Sequence, residues 1–187
     1  MKWNAHSHLE QKHAFLSPSS YHWINYDQTR LDLRFKTLMA AKDGVIQHTY
    51  AAVAIDEGVV QDNEASTLGM YINQCIQYKM RPEQLLFYSP NCFGTADAIS
   101  YRYGFLRISD LKTGETTTSE HQLEVYAALF CLEYNFDPFD LRGIELRIYQ
   151  DRRCRVYIGD PGFIKHIMEK IIAFDIRLTE LREEVTP

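Results

Sequence analysis

The 187 residues lack the marks of a disulfide or metal–thiolate framework. Four cysteines, Cys75, Cys92, Cys131 and Cys154, stand far apart with no Cys-x-x-Cys pair, which points to reduced, partly buried thiols. No apolar run approaches the ~20 residues needed to cross a bilayer. Met1-Lys2-Trp3-Asn4-Ala5-His6 opens no secretory signal. A cytoplasmic protein without a membrane partner is therefore expected. Repeats, low-complexity tracts and Pro- or Gly-rich linkers are missing too. So is an excess of basic charge: the formal net charge is −5, awkward for a partner of nucleic acid. Phosphates respond to local charge, however, and Arg142, Arg147, Arg152, Arg153 and Arg155 fall within a short span. That span reads either as a solvated arginine-rich hairpin or as a phosphate-contacting surface.

What is present excludes disorder. A 45% hydrophobic and 13% aromatic composition supports a sizeable core and one domain over residues 1–187. Residues 1–17 read as a polar arm bearing His6, His8 and His13, which together with the nearby His22 could in principle bind metal. Ser17-Pro18-Ser19-Ser20 suits a helix entry. Residues 18–82 read as helical. One or two helices are expected over Tyr21–Ala41, then a further helical pattern after Gly44 with Val45, His48, Ala52 and Ile55 at spacings of three to four. Another helix runs from Asn63 to Met80, and Arg81-Pro82 stops it.

Residues 83–159 change period. Leu85–Ser89, Cys92–Tyr101 and Phe105–Lys112 are runs of strand type separated by turn residues, a three-strand meander. Ser119–Tyr134 is a helix with Leu123, Tyr126, Ala127 and Phe130 on one face. Gly143–Tyr149 and Cys154–Ile158 form a strand pair turned at Asp151-Arg152-Arg153. Residues 160–187 hold a final helix opened by Asp160-Pro161, with Ile164, Ile167, Ile171 and Phe174 as its buried stripe. The expected fold class is α/β (α+β), in the order α-βββ-α-ββ-α.

The meander carries the chemistry. Asp97 sits among Ala96, Ala98 and Ile99, and Asp110 follows Ile108-Ser109. An acid in such a strand needs a partner or a ligand. Strands side by side would let both acids hold one hard divalent cation, with the Leu111 carbonyl completing part of the shell. Lys112 would stand beside it, orienting a water or stabilising charge on a phosphate. An ordinary Asp110–Lys112 surface ion pair fits those two residues as well. His48 lies on the apolar side of its helix, as a core histidine or as a ligand. Gln122 and Tyr126 are four apart, so they share a helical face and could contact a phosphate or position Lys112.

Gly44-x-x-x-His48, Gly94-Thr-Ala-Asp97, Asp110-Leu-Lys112-Thr-Gly114 and Gln122-x-x-x-Tyr126 together resemble the RecB-like exonuclease branch of the PD-(D/E)XK nuclease superfamily. The resemblance spans residues 44 to about 158, with the motifs in the family's order. His13-Ala-Phe-Leu-Ser-Pro-Ser-Ser resembles phage-encoded members. The resemblance implies a restriction-endonuclease-like core, a central mixed sheet flanked by helices. It implies that His48, Asp97, Asp110 and the Leu111 carbonyl bind Mg²⁺ or Mn²⁺. Lys112 would be the catalytic lysine, with Asp110, Asp97, Gln122 and Tyr126 completing the catalytic set. Arg147, Arg152, Arg153 and Arg155 would be candidate DNA contacts.

The implied activity is a metal-dependent DNA exonuclease acting on linear ends in phage or mobile-element recombination or replication, within the bacterial host cytoplasm. A homo-oligomer or a recombination or replication partner would supply processivity. Some relatives hold an iron–sulfur cluster on one cysteine before the core and three after it. Here only Cys154 follows Cys131 and none precedes His48, so no cluster is expected. The alternatives are a nuclease-fold module that binds nucleic acid or a protein without cutting, and a structure-specific or restriction-like endonuclease.

Overall fold

Short apolar runs bounded by turn residues build a five-stranded mixed sheet flanked by helices, an α+β fold. A computed structural model describes residues 14–114 and 119–185. The expected arm, with His6, His8 and His13, lies largely outside the described residues. Two compact units are present, residues 1–43 and 44–187.

In the first unit Pro18–Asn25 forms 3-10 turns. Pro18 takes the expected early position, but Ser17 Oγ pairs with Ser19 Oγ rather than capping a backbone N–H. Helix α1 spans Gln28–Asp56 as one element, where the sequence suggests a fresh start at Gly44. A glycine inside a helix costs only about 1 kcal/mol, too little to break a helix held by packing. From Gly44 onward the buried residues of α1 are Gly44, Ala51, Ala54 and Ile55, whereas Val45 is exposed.

Helix α2, Thr67–Gln77, is capped by Ser66, whose Oγ accepts from the Gly69 N–H. It buries Tyr71, Ile72 and Cys75. Strand β1, Arg81–Ser89, begins where the sequence suggested a helix stop. As an edge strand it tolerates Pro82. Strands β2 (Cys92–Arg102) and β3 (Phe105–Leu111) complete an antiparallel meander. Helix α3, His121–Tyr134, then crosses to β4 (Gly143–Gln150), which runs parallel to β3, and β5 (Arg153–Ile158) returns antiparallel. The order β1-β2-β3-β4-β5 places β3, with Asp110, at the centre.

Each face of the sheet buries its own cluster. Leu123, Ala127 and Phe130 of α3 with Ile164 and Met168 of α4 (Pro161–Val185) cover Leu86, Leu106, Leu146 and Ile148. On the other face Ala51, Ala54 and Ile55 of α1 with Tyr71, Ile72 and Cys75 of α2 pack on Ala98, Leu111 and Tyr149. The expected stripe of α4 ends early. Ile164 is buried and Ile167 and Ile171 partly so, but Phe174 is 63% exposed. A helix of this length extends about 37 Å, and its core contacts stop at Ile171. The four cysteines are free thiols, with Cys75 and Cys131 buried. Among the described residues no helix is long and apolar enough to cross a membrane.

Candidate metal and catalytic centre

The meander's register sets three acids abreast. Pro82 pairs with Ala98 and Gln84 with Ala96, so Glu83 stands opposite Asp97. The β2–β3 pairing ends at Ala98 and Ser109, and one further step sets Asp97 against Asp110. Like charges directly across strands destabilise a sheet. Such a row persists where a proton, a cation or a ligand relieves it.

Asp97 is the hub. Its Oδ2 accepts a 2.9 Å hydrogen bond from the Leu111 N–H and lies 3.4 Å from His48 Nδ1. His48 comes from the buried side of α1, so the apolar spacing that located it also aims it at β2. His48, Glu83 and Asp97 each offer a ligand atom, all within 4.8 Å of one another. Imidazole nitrogen with carboxylate oxygen suits Mn²⁺, and the carboxylates suit Mg²⁺. Leu111, expected as a ligand through its carbonyl, contributes its N–H to Asp97 and turns its side chain into the core.

Glu83 was not anticipated, because Arg81-Pro82 reads as a helix stop and hides the strand that carries it. Its φ of 47° lies in the left-handed region, a strained conformation for a non-glycine residue that tends to persist at functional sites. An acid two residues before an apolar strand run was the available signal.

Asp110 is 3% exposed. Its Oδ1 accepts from Lys112 Nζ at 2.9 Å, while its Oδ2 is buried with no partner among the described residues. Burying a carboxylate oxygen unpaired costs free energy that a bound cation would recover. The orphaned oxygen and the mixed N/O donor set therefore fit a divalent ion.

Lys112 lies one residue beyond β3 and also donates to Gln122 Oε1 at 3.2 Å. Gln122, in the first turn of α3, thus positions the lysine. Tyr126, one turn on, reaches β2 instead and donates to the Thr95 carbonyl at 2.6 Å. Its ring lies against Gly94, where an added Cβ would come 3.1 Å from Tyr126 Cε1. Gly44 plays a similar part: a Cβ there would meet Thr113 Oγ1 at 2.9 Å. The two motif glycines admit the side chains that frame the centre.

Burial pushes the Asp97 carboxyl up to about 6, helped by the charges of Asp110 and Glu83 and opposed by His48 and the Leu111 N–H. An unfolded aspartate releases its proton near 3.8. Between those values the native state binds more protons, so this group makes stability fall as pH rises through the window. Below about pH 4 it contributes nothing, and above about pH 6 the penalty is complete. The melting temperature of metal-free wild type is expected to drop relative to Asp97→Asn between about pH 4 and about pH 6.5. Parallel melting curves for the two proteins would contradict this.

The arginines divide. Arg147 is folded onto the sheet: it donates to Glu145, Gln74 and the Tyr78 hydroxyl, stacks on the Tyr78 ring, and keeps only 11% of its side chain exposed. Little of it is left to meet a nucleic acid. Arg155 donates to Gln150 Oε1. Arg152 and Arg153 are exposed at the β4–β5 turn.

With that geometry in view, residues 81–161, from the start of β1 to the first residue of α4, match the model of a family described as a protein of unknown function, DUF2800. The match takes in Glu83, Asp97, Asp110, Lys112, Gln122 and Tyr126, and leaves out His48. No curated protein and no solved structure matches the chain.

Proposed function

We propose that the chain is a divalent-metal-dependent nuclease that hydrolyses phosphodiester bonds, working as an exonuclease on linear DNA. One observation carries the reading. A buried, half-orphaned Asp110 shares Lys112 with Gln122, beside a His48–Glu83–Asp97 set able to hold a cation. An Asp110–Lys112 pair with a surface role would leave no buried oxygen without a partner. The resemblance of the four motifs to RecB-like nucleases supports the same conclusion.

His48, Asp97 and Asp110, with Glu83 added, would hold Mg²⁺ or Mn²⁺, which supplies positive charge to the phosphate and acidity to a water. Lys112 has three N–H donors, and Asp110 and Gln122 take two of them. The third is free for a phosphate oxygen or for the attacking water. As the water oxygen bonds to phosphorus and gives up a proton to solvent, the bond to the 3′ oxygen breaks and that oxygen takes a proton from solvent. Tyr126 holds β2 at Thr95 and so fixes Asp97 two residues on. A phage or mobile-element setting in a bacterial cytoplasm, and an oligomer or partner for processivity, accompany this reading.

Linear and covalently closed circular DNA of one sequence separate the activities. The proposal expects mononucleotide release from linear DNA with Mn²⁺ or Mg²⁺ and an intact circle. Cutting of the circle would make the protein an endonuclease, and binding of DNA without cutting either form would make it a binding module.

A further inference from the structure

A cleft of ≈ 260 Å³ adjoins the centre, lined by Gln47, Thr67, Lys112, Thr113, Gly114 and Arg152. Its walls are tied from behind. The Arg152 N–H donates to Thr67 Oγ1 at 2.8 Å, which fastens the β4–β5 turn to the start of α2. The Gly114 carbonyl accepts from Gln150 Nε2 at 2.7 Å, and Gln150 Oε1 in turn accepts from Arg155. A carbonyl that would repel an anion is thereby already engaged. The Arg152 guanidinium makes no hydrogen bond or ion pair with any described residue. Among the described residues that line it, Asp151 is the acid, beside Lys112 and Arg152. With Lys112 already paired to Asp110, Arg152 is the wall cation that no described carboxylate engages.

The turn is also an unusual place for an arginine. Asp151 and Arg152 both have positive φ, 52° and 57°, at the two central positions of a hairpin turn that favours Asn-Gly. A glycine at 152 would be less strained, so an arginine there gives up local stability to hold a cation over the cleft.

We infer that this cleft is a second phosphate subsite, taking the phosphodiester next to the one at Asp110 and Lys112. The inference rests on the nuclease reading for the identity of the strand, and deepens it by naming Arg152 as the residue that grips the neighbouring phosphate. Lys112 borders both positions, so one strand would pass its successive phosphates along it. A planar guanidinium can meet two phosphate oxygens at once, which a lysine there could not.

The test uses full-length wild type, Arg152→Ala, Arg152→Lys and Arg152→Gly. The substrates are single-stranded oligonucleotides with or without a neutral methylphosphonate next to the scissile phosphate, on either side in turn. Cleavage is followed with Mn²⁺, and equilibrium binding by fluorescence anisotropy in EDTA. Arg152→Ala is expected to raise KM about tenfold with kcat within about twofold. The methylphosphonate should do the same to wild type from one side only, and add nothing to Arg152→Ala. Arg152→Lys should recover part of the loss. Arg152→Gly should match Arg152→Ala in KM while melting at a higher temperature.

Unchanged KM and binding in Arg152→Ala, or losses that multiply between the variant and the methylphosphonate, would overturn the subsite. If wild type cuts nothing, the nuclease reading has failed and anisotropy decides the cleft alone. A tenfold weaker Arg152→Ala complex keeps the phosphate site, and equal affinities remove it.

Discussion

Lys112→Ala should lower the cleavage rate by about 10³-fold or more, mostly in kcat, because the lysine places a flexible cation directly beside the acids. Removing a single preorganised donor at a developing charge costs about 10²–10³-fold in other enzymes. Here the loss is compounded. Asp110 Oδ1 loses its hydrogen-bond partner while Oδ2 has none among the described residues, so a buried carboxylate is left without its cation. The Lys112 side chain is 28% exposed, which softens the penalty, and water reaching the gap should limit the metal-free stability cost to about 1–3 kcal/mol. The double variant Lys112→Ala/Asp110→Asn should therefore regain stability without regaining activity. Near-normal cleavage by folded Lys112→Ala would reduce the Asp110–Lys112 contact to an ordinary ion pair.

The second large effect concerns the cation. Asp97→Asn should weaken Mn²⁺ binding by about 10²-fold or more, because Asp97 stands between Glu83 and Asp110 and is within reach of His48. A ligand at about a hundredfold excess over its Kd stabilises a fold by about 2.7 kcal/mol, so the Mn²⁺-induced rise in melting temperature should vanish in the variant. Its metal-free form should melt above metal-free wild type near neutral pH, since one of three crowded charges is gone. The amide oxygen that replaces the carboxylate could still accept from the Leu111 N–H, so the local backbone is expected to hold. Calorimetry decides: an unchanged binding heat and melting shift in Asp97→Asn would remove Asp97 from the centre.

The strands were the most readable part of this chain. Alternating apolar residues and turn pairs such as Tyr103-Gly104 set β2, β3, β4 and β5 to within a residue or two. The face of α3 followed from its spacing, although Tyr126 of that face is only partly buried. Errors arose where tertiary packing outweighs a local signal. Gly44 reads as a break, yet α1 runs through it, because what the position requires is the absence of a Cβ beside Thr113. Arg81-Pro82 reads as a stop and α2 does end before it, but the strand already begins at Arg81 rather than Leu85, because an edge strand accommodates the proline. That misreading concealed Glu83, whose importance lies in its register with Asp97 rather than in any motif. Spacing offered the contact of Gln122 with Lys112 as one of two readings, beside a phosphate contact; the engagement of Arg147 by Glu145, Gln74 and Tyr78 was not legible, since a charge cluster in sequence carries no information on which side chains fold inward.

The most direct test is digestion of end-labelled single- and double-stranded linear DNA by purified wild type in EDTA, Mg²⁺ and Mn²⁺. The account expects no digestion in EDTA and progressive loss of nucleotides from an end once either metal is added. DNA that stays intact in both metals, while the protein remains folded and binds it, would contradict the assignment of His48, Asp97, Asp110 and Lys112 to a hydrolytic centre.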